Sequence, residues 1–193
     1  MHARDDQLDA VSVWLLGAWA GALIMTGASA AIIFPEIRNL GAGVPELLLP
    51  ADEHWKYIAG RVQNRVFGVC DWVQLLCGVG VLALGVVAAF RQRGTQIGAG
   101  LWRVRVGVTI LTLGALATYL AWLAPAMQSD LRAFWQALEA RDLSTARAAQ
   151  ESFDRYHPIA SKWFSGMLLG VVTLGVITAL GIGRGMAAQH RAD

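Results

Sequence analysis

Residues Val66 to Phe90 read VFGVCDWVQLLCGVGVLALGVVAAF, and this stretch contains a single charged residue, Asp71. A helix that crosses the hydrocarbon core of a bilayer needs about 20 consecutive, predominantly apolar residues. An amphipathic helix of a soluble domain would show a polar face, and this stretch has none. It is too long for a strand and lacks the alternation of apolar and polar residues that strands show. The stretch therefore predicts a transmembrane helix.

Three further stretches of similar character contain no charged residue: Val11 to Phe34, Val106 to Leu123 and Trp163 to Gly183. The composition agrees, because hydrophobic residues make up 55% of the 193 residues and charged residues only 16%, against about 25% charged residues in soluble domains. Mean hydropathy is +0.46. We predict an all-α integral membrane protein, a bundle of four transmembrane helices forming one domain over residues 1–193, with the lipid bilayer as its partner.

The distribution of basic residues predicts the orientation of this bundle. The connection from Arg91 to Arg105 contains four arginines and no acid, and short arginine-rich loops are retained in the cytoplasm. We therefore expect a plasma (inner) membrane protein with both termini in the cytoplasm and the two longer loops outside. The net charge is only +2 and the basic residues are scattered, which argues against nucleic acid as a partner.

The first span could instead belong to a cleaved signal peptide, because Ala28, Ser29 and Ala30 fit the small-residue cleavage pattern. Signal peptides begin with a positively charged segment, whereas Arg4 is offset here by neighbouring aspartates. We expect the span to be retained.

Both longer loops contain apolar residues at helical spacing, which predicts short amphipathic outer helices at about residues 53–65 and 127–157. In the first loop the apolar stripe runs into the second span. We therefore predict one long helix from Glu53 to Phe90, with Asp52 as its N-cap.

In the second loop, Pro125 should kink or end the third span, because proline removes a helical hydrogen bond and clashes with the preceding turn. Two amphipathic segments should follow it, lying on the outer end of the bundle or in the interface. Asp142 or Ser144 is expected to cap the second segment.

Small residues inside the spans predict close helix packing, because helices in lipid associate through van der Waals contact and hydrogen bonds. The glycines expected at packing seams are Gly17, Gly21, Gly78, Gly85, Gly166, Gly170 and Gly175.

Asp71 is the ionisable residue that lies within a span, and an intramembrane carboxylate is a functional hypothesis by default. Gln74 follows one turn later and Cys70 precedes it, which gives a small polar patch. A transport role and a carboxylate that merely pairs with an outer arginine or faces water both remain open. Cys70 and Cys77 lie roughly 10 Å apart along a helix and cannot form a disulfide with each other; we expect packed thiols.

The histidines lie outside the spans, so axial ligation of a transmembrane b-type haem is not expected, and no other cofactor is predicted. His54 and His157 precede the second and fourth spans, and a shared metal site there is conceivable. Neither histidine belongs to a dense ligand motif, so hydrogen bonding to neighbouring polar groups is the favoured interpretation. No nucleophile elbow, P-loop or metalloprotease motif occurs, and we do not expect an enzyme.

Three segments resemble a known family. They are IAGRVQNRVF at Ile58 to Phe67, ATYLAWLAP at Ala117 to Pro125, and FDRYHPIAS at Phe153 to Ser161. Their order between four spans is similar to that of the transmembrane-protein-205-like family, also called domain of unknown function 4149. The resemblance covers about Trp14 to Leu180. It implies a compact four-span membrane protein whose molecular activity is poorly defined.

The resemblance marks the positions Gln63, Arg65, Phe67, Trp122, Pro125, Phe153, Tyr156, His157 and Ser161. The sequence departs from the family pattern at Gly68, at Cys70 and Asp71, and at Ser165. By the predicted topology, the marked positions converge at the outer end of the bundle. We therefore predict an outer-face cluster of Gln63, Arg65, Asp71, Trp122, Pro125, Tyr156, His157 and Ser161.

This cluster could be a ligand site, or it could tie the outer helices to the spans. The leading hypothesis is a non-enzymatic membrane protein that binds or moves a small solute or metal ion. The alternative is a structural or accessory subunit that packs against a larger membrane complex.

Overall fold

The computed structural model describes residues 2–41, 43–44, 53–91 and 99–189, apart from the side chains of residues 2–6, 9, 89–91, 99 and 181–189. These residues form five α-helices and one π-helical turn: α1 (His2–Asn39), α2 (His54–Arg91), α3 (Ala99–Thr118), the π turn (Tyr119–Leu123), α4 (Ala124–Glu139) and α5 (Leu143–Gln189). No strand occurs in these ranges. The chain is therefore all-helical over its described length, as predicted.

Four helical stretches are long and apolar enough to cross a membrane: Ala10–Asn39, His54–Ala88, Gly100–Glu139 and Leu143–Leu180. Each overlaps one of the four spans predicted from sequence. Every stretch begins before its predicted span, because the apolar outer segments continue the same helices. Helix α2 covers His54–Arg91 without interruption, which matches the long helix predicted from Glu53 to Phe90. Its expected N-cap, Asp52, lies outside the described residues.

Pro125 was predicted to kink or end the third span, and the structure excludes an end at this residue. The helix passes through a π turn at Tyr119–Leu123 and continues as α4, in whose first turn Pro125 lies. Proline cannot donate a backbone hydrogen bond, and its ring crowds the carbonyl four residues earlier. The i→i+5 spacing of a π turn changes the pairing of carbonyls at this point, and the first turn of an α-helix does not need the missing amide. The residue thus shapes the helix locally without stopping it.

The segment predicted as separate outer helices at 127–157 is continuous with the spans on both sides. Helix α4 follows the π turn directly, and α5 runs from Leu143 to Gln189 through Pro158. The connection expected from Arg91 to Arg105 is also shorter than predicted, because Arg91 ends α2 and α3 begins at Ala99. Residues 92–98 lie outside the described part of the chain.

A tight turn joins α4 to α5. The backbone N–H of Asp142 donates to the Ala137 carbonyl at 2.8 Å, and that of Arg141 donates to the Leu138 carbonyl at 3.1 Å. This pairing is a Schellman motif, and it places Arg141 in the left-handed region at φ 61°. The carboxylate of Asp142 then accepts hydrogen bonds from the backbone N–H groups of Ser144 and Thr145, each at 3.1 Å. Asp142 is therefore the N-cap of α5, one of the two candidates predicted.

The Asp142 carboxylate is stabilised as an anion. Hydrogen bonds from the Thr145 and Ser144 hydroxyls and from their backbone N–H groups hold the pKa of Asp142 well below its usual range.

The chain divides into two compact units. Unit 1 comprises the described residues of Met1–Leu23, Trp72–Leu116 and Gly166–Asp193, and unit 2 those of Ile24–Asp71 and Ala117–Ser165.

The core of unit 1 is built from side chains of all four long helices. Its most completely buried members are Trp19, Gln74, Met167, Val171 and Leu174. Gln74 is unusual there, because neither polar atom of its amide has a hydrogen-bond partner among the described residues. Buried polar groups without partners are costly.

Close packing in unit 1 involves fewer glycines than predicted. A Cβ on Gly170 would collide with the Thr112 hydroxyl oxygen, and a Cβ on Gly78 would lie 3.1 Å from a Leu113 methyl. At the other five predicted positions a Cβ would meet no atom of the described residues within 4 Å; these are Gly17, Gly21, Gly85, Gly166 and Gly175. The prediction of packing seams at those five glycines is wrong, because spacing along one helix does not reveal which face meets a neighbour. Gly80, which was not predicted, approaches Leu15 closely.

The core of unit 2 includes an apolar cluster of Ala137, Leu138 and Ala146 at the α4–α5 turn. Val44, Tyr57, Phe134 and Leu143 pack against this cluster. The first turns of α2 are thus held against the ends of α4 and α5 within one unit.

Candidate functional site

Unit 2 contains a cavity of about 270 Å³. Segments of α1, α2, α4 and α5 form its wall. Five aromatic side chains contribute to it: Phe34, Trp55, Phe67, Phe134 and Phe153. The polar and charged residues of the wall are Lys56, Gln63, Asn64, Gln150, Asp154 and His157. A concave site that is mostly apolar and contains a few polar groups is the usual form of a small-molecule site.

The aromatic residues of the wall contact one another and neighbouring charged side chains. The rings of Phe34 and Trp55 meet edge to face, with centroids 6.2 Å apart. The Arg38 guanidinium lies 5.7 Å from the Trp55 ring and the Lys56 ammonium 6.0 Å from it. On α5, the Phe153 and His157 rings are 5.9 Å apart. Aromatic faces attract cations through their quadrupoles, so this wall already accommodates positive charge.

Gln63 is the buried polar residue of the wall, with only 3% of its surface exposed. It lies one turn after Ala59 on the buried face of α2. Its side-chain N–H group donates to the Ser29 hydroxyl at 2.9 Å and to the Thr26 carbonyl at 3.3 Å. Both donors are thereby used against α1, and the amide orientation is fixed. The Gln63 Oε1 atom has no hydrogen-bond partner among the described residues.

One of the two charged residues of the cavity wall has an ion-pair partner and the other has none among the described residues. Lys56 Nζ lies 3.1 Å from Glu53 Oε1 and is therefore paired. Asp154 has no ion pair with any residue that the structure describes. The Asn64 side-chain oxygen accepts a hydrogen bond from Gln128. Asp154 therefore remains as an exposed carboxylate without an ion pair at the cavity, whereas the Gln63 Oε1 atom is buried in the wall.

The eight residues of the predicted outer-face cluster all fall in unit 2. Two of them, Gln63 and His157, line the cavity. Trp122 and Tyr156 contact each other edge to face, with ring centroids 6.4 Å apart. The Ser161 hydroxyl donates to the His157 backbone carbonyl at 3.0 Å.

The remaining predicted residues lie apart from the cavity wall. Arg65 and Pro125 are exposed. Within the described residues, Arg65 forms neither a hydrogen bond nor an ion pair with Tyr156, His157 or Gln63. The structure thus brings the predicted residues into one unit but does not join them in one polar network. His157 is itself exposed, with its ring against Phe153.

Asp71 contacts the π turn of unit 2. The Tyr119 hydroxyl donates to Asp71 Oδ2 at 3.4 Å, and Asp71 Oδ1 has no partner among the described residues. The Tyr119 ring packs on Phe164 with centroids 4.8 Å apart. The partner of this carboxylate is therefore a tyrosine, whereas the sequence suggested an outer arginine or water.

An ionic and aromatic clasp joins α2 to α4, and it was not predicted from sequence. Glu139 accepts hydrogen bonds from the Arg61 guanidinium at 2.6 Å and from the Tyr57 hydroxyl at 3.0 Å. The same guanidinium lies 5.0 Å from the Tyr57 ring and 5.2 Å from the Trp135 ring. This clasp holds the helices that carry Trp55 and Phe134 of the cavity wall. About 80 residues separate its partners in sequence, so no local pattern reports it.

Side chains that could ligate a metal ion do not cluster in the described residues. No group of three or more histidine, cysteine, aspartate or glutamate side chains is placed to hold a metal ion there. His54 Nδ1 accepts a hydrogen bond from the Val44 backbone N–H at 3.1 Å, in keeping with the favoured interpretation of that histidine. Cys70 and Cys77 are both buried free thiols, as predicted.

Comparison of the chain with known protein families, with characterised proteins and with solved structures finds no match in any of the three.

Proposed function

We propose that this chain is a multi-pass integral membrane protein that binds a small organic cation in the aromatic cavity of unit 2. Binding, with or without movement of the solute, is the proposed activity; catalysis is not. We also propose, from the three sequence segments alone, that the chain belongs to the transmembrane-protein-205-like family.

Membrane insertion is supported by the four long apolar helices and by their outward-facing side chains. Tryptophans and aliphatic residues are exposed along these helices, among them Trp14, Trp72, Leu76, Leu111 and Leu169. Water would penalise so many exposed apolar side chains, whereas lipid accepts them.

The observation that carries the binding proposal is the cavity itself, whose wall contains five aromatic side chains and the carboxylate of Asp154. Aromatic faces and a carboxylate both favour a cation. Lys56 does not oppose this, because Glu53 pairs with it. An ammonium group supplies the donors that the Asp154 carboxylate lacks. The same cavity favours the solute-binding hypothesis over the accessory-subunit alternative.

The proposal is tested by titrating the purified protein in detergent with three ligands of one shape and different charge. Phenethylammonium, 2-phenylethanol and 3-phenylpropionate serve as the cation, the neutral analogue and the anion. Isothermal titration calorimetry should rank their affinities in that order. Failure of all three to bind, or tightest binding of the anion, would contradict the proposal.

A charge-matched pair of variants locates the site. Asp154→Asn removes the unpaired carboxylate of the wall and should weaken phenethylammonium binding about tenfold, which corresponds to about 1.4 kcal/mol. Glu151→Gln removes an exposed carboxylate three residues earlier on α5 that is not part of the wall, and it should leave the affinity unchanged. Equal weakening in both variants would show that only general charge attraction is at work.

A further inference from the structure

Unit 1 contains a second cavity, of about 240 Å³, formed by segments of α1, α2, α3 and α5. Most of its wall is aliphatic and includes Leu16, Val81, Leu82, Ile110 and Leu174. We call it the unit 1 groove. An aliphatic wall of this kind gives a hydrocarbon chain a surface to pack on but offers nothing that would orient a polar solute.

The polar residues of the groove come mainly from α3. Trp102 and Arg105 both line it, one helical turn apart near the start of α3, and Thr109 follows one turn later. Tryptophan is enriched where lipid hydrocarbon meets the headgroup layer. Arginine presents a planar fork of donors that matches the oxygens of a phosphate. An aliphatic wall thus continues into a tryptophan and an arginine on a single helix.

The sequence that leads to Arg105 carries charge of one sign. The sequence from Arg91 to Arg105 contains four arginines and no acidic residue. Basic pockets between transmembrane helices recognise anionic lipid headgroups, and each basic residue near the membrane surface strengthens this attraction.

We propose that the unit 1 groove binds one anionic phospholipid, with an acyl chain along the aliphatic wall and the phosphate at Arg105. The inference rests on the proposed membrane insertion and is independent of the cation site in unit 2. A zwitterionic lipid would offer the same chain and phosphate, but its positive headgroup would be disfavoured beside the arginines. The groove therefore selects by headgroup charge.

Gly85 provides a way to close the groove without disturbing the fold. It lies in the groove wall, and a Cβ built on it would meet no atom within 4 Å. A leucine at this position should therefore fit its helix and occupy the space of the acyl chain. Gly107 is the matched control, because it is exposed on α3, also has free space around its Cβ, and is not part of the wall.

The experiment reconstitutes the full chain into vesicles of phosphatidylcholine and phosphatidylglycerol at a molar ratio of four to one. The protein is extracted in mild detergent, and the retained lipids are quantified by mass spectrometry. Wild type should retain about one phosphatidylglycerol per chain, several-fold enriched over its share of the vesicle. Arg105→Gln and Gly85→Leu should both lose this enrichment. Arg103→Gln, which removes an exposed arginine outside the wall, and Gly107→Leu should keep it.

Three results would overturn the inference: equal loss in Arg105→Gln and Arg103→Gln, unchanged retention in Gly85→Leu, or equal retention of the two lipids by wild type. Circular dichroism on each sample checks that the variants remain helical. Extraction of the vesicles with alkaline carbonate separates the two proposals. Release of the protein by carbonate would contradict membrane insertion itself, whereas a carbonate-resistant protein without lipid selectivity would contradict only the lipid site.

Discussion

Among the described glycines of unit 1, Gly170 on α5 has the least room for a side chain. A Cβ there would collide with Thr112 Oγ1 and would lie 3.3 Å from both Thr112 Cβ and Cγ2. Gly175, five residues later on the same helix, has no atom within 4 Å of an added Cβ. Gly170→Ala and Gly175→Ala are therefore the same chemical change in crowded and in open surroundings.

The two substitutions should change the free energy of unfolding in opposite directions. Replacing glycine by alanine inside a helix favours the helix by about 0.8–1 kcal/mol. At Gly175 nothing opposes this gain, so the variant should be slightly more stable than wild type. At Gly170 the added methyl overpacks the core, which costs about 1–3 kcal/mol. The net loss there is up to about 2 kcal/mol, and the two variants should differ by about 1–3 kcal/mol.

Unfolding of the purified protein in mixed micelles, followed by circular dichroism, measures this difference. Thr112→Ala provides the test of cause, because it removes the Oγ1 and Cγ2 atoms that the new methyl would meet. In the Thr112→Ala background most of the penalty of Gly170→Ala should vanish, giving a coupling energy of about 1 kcal/mol or more. Equal stability of the two glycine variants, or a penalty that persists without the Thr112 side chain, would refute the packing described for unit 1.

Three further predictions concern the clasp, the α4–α5 turn and the membrane topology. A double-mutant cycle of Arg61→Gln and Glu139→Gln should give a coupling of about 0.2–1 kcal/mol, because the pair is half exposed; a coupling indistinguishable from zero would remove the clasp from the account. Since hydrogen bonds depress the folded pKa of Asp142, its carboxylate should stabilise the turn above the unfolded pKa of about 3.9 and lose this effect as the pH falls through and below that value. Melting temperatures from pH 6 to pH 3 should therefore fall more steeply for wild type than for Asp142→Asn, and parallel curves would contradict the capping role. A cysteine at position Gly98 in a cysteine-free background should resist an impermeant reagent added outside the cell, because the Arg91–Arg105 segment is expected in the cytoplasm; strong labelling would reverse the orientation.

The four apolar helices could be predicted from sequence because the requirement is local. A long run of apolar residues with no polar face has few alternatives to a membrane helix. The N-cap at Asp142 was likewise predictable as one of two candidates, because capping depends on the residue type at one point in the chain. The effect of Pro125 on the helix was not predictable from sequence. Proline removes one backbone hydrogen bond, and both a π turn and a helix end accommodate this.

The cavity was only partly foreseeable. Gln63 and His157 were singled out by the resemblance, and both contribute to its wall. The aromatic residues were not grouped, because Phe34, Trp55 and Phe134 come from three different helices. Helical periodicity tells which residues share a face, but it does not tell which faces of distant helices meet. The same reason explains why the prediction of packing seams at five of the glycines was wrong.

The most direct test of the central claim is to fill the cavity and measure binding of the cation. Gly60 lies in the cavity wall, and a Cβ built on it would meet no atom within 4 Å. Gly68 on the same helix has equally free space but is not part of the wall. Calorimetric titration with phenethylammonium should show no binding to Gly60→Phe and wild-type affinity for Gly68→Phe. Undiminished binding to Gly60→Phe, in a protein that remains helical, would contradict the assignment of this cavity as the functional site.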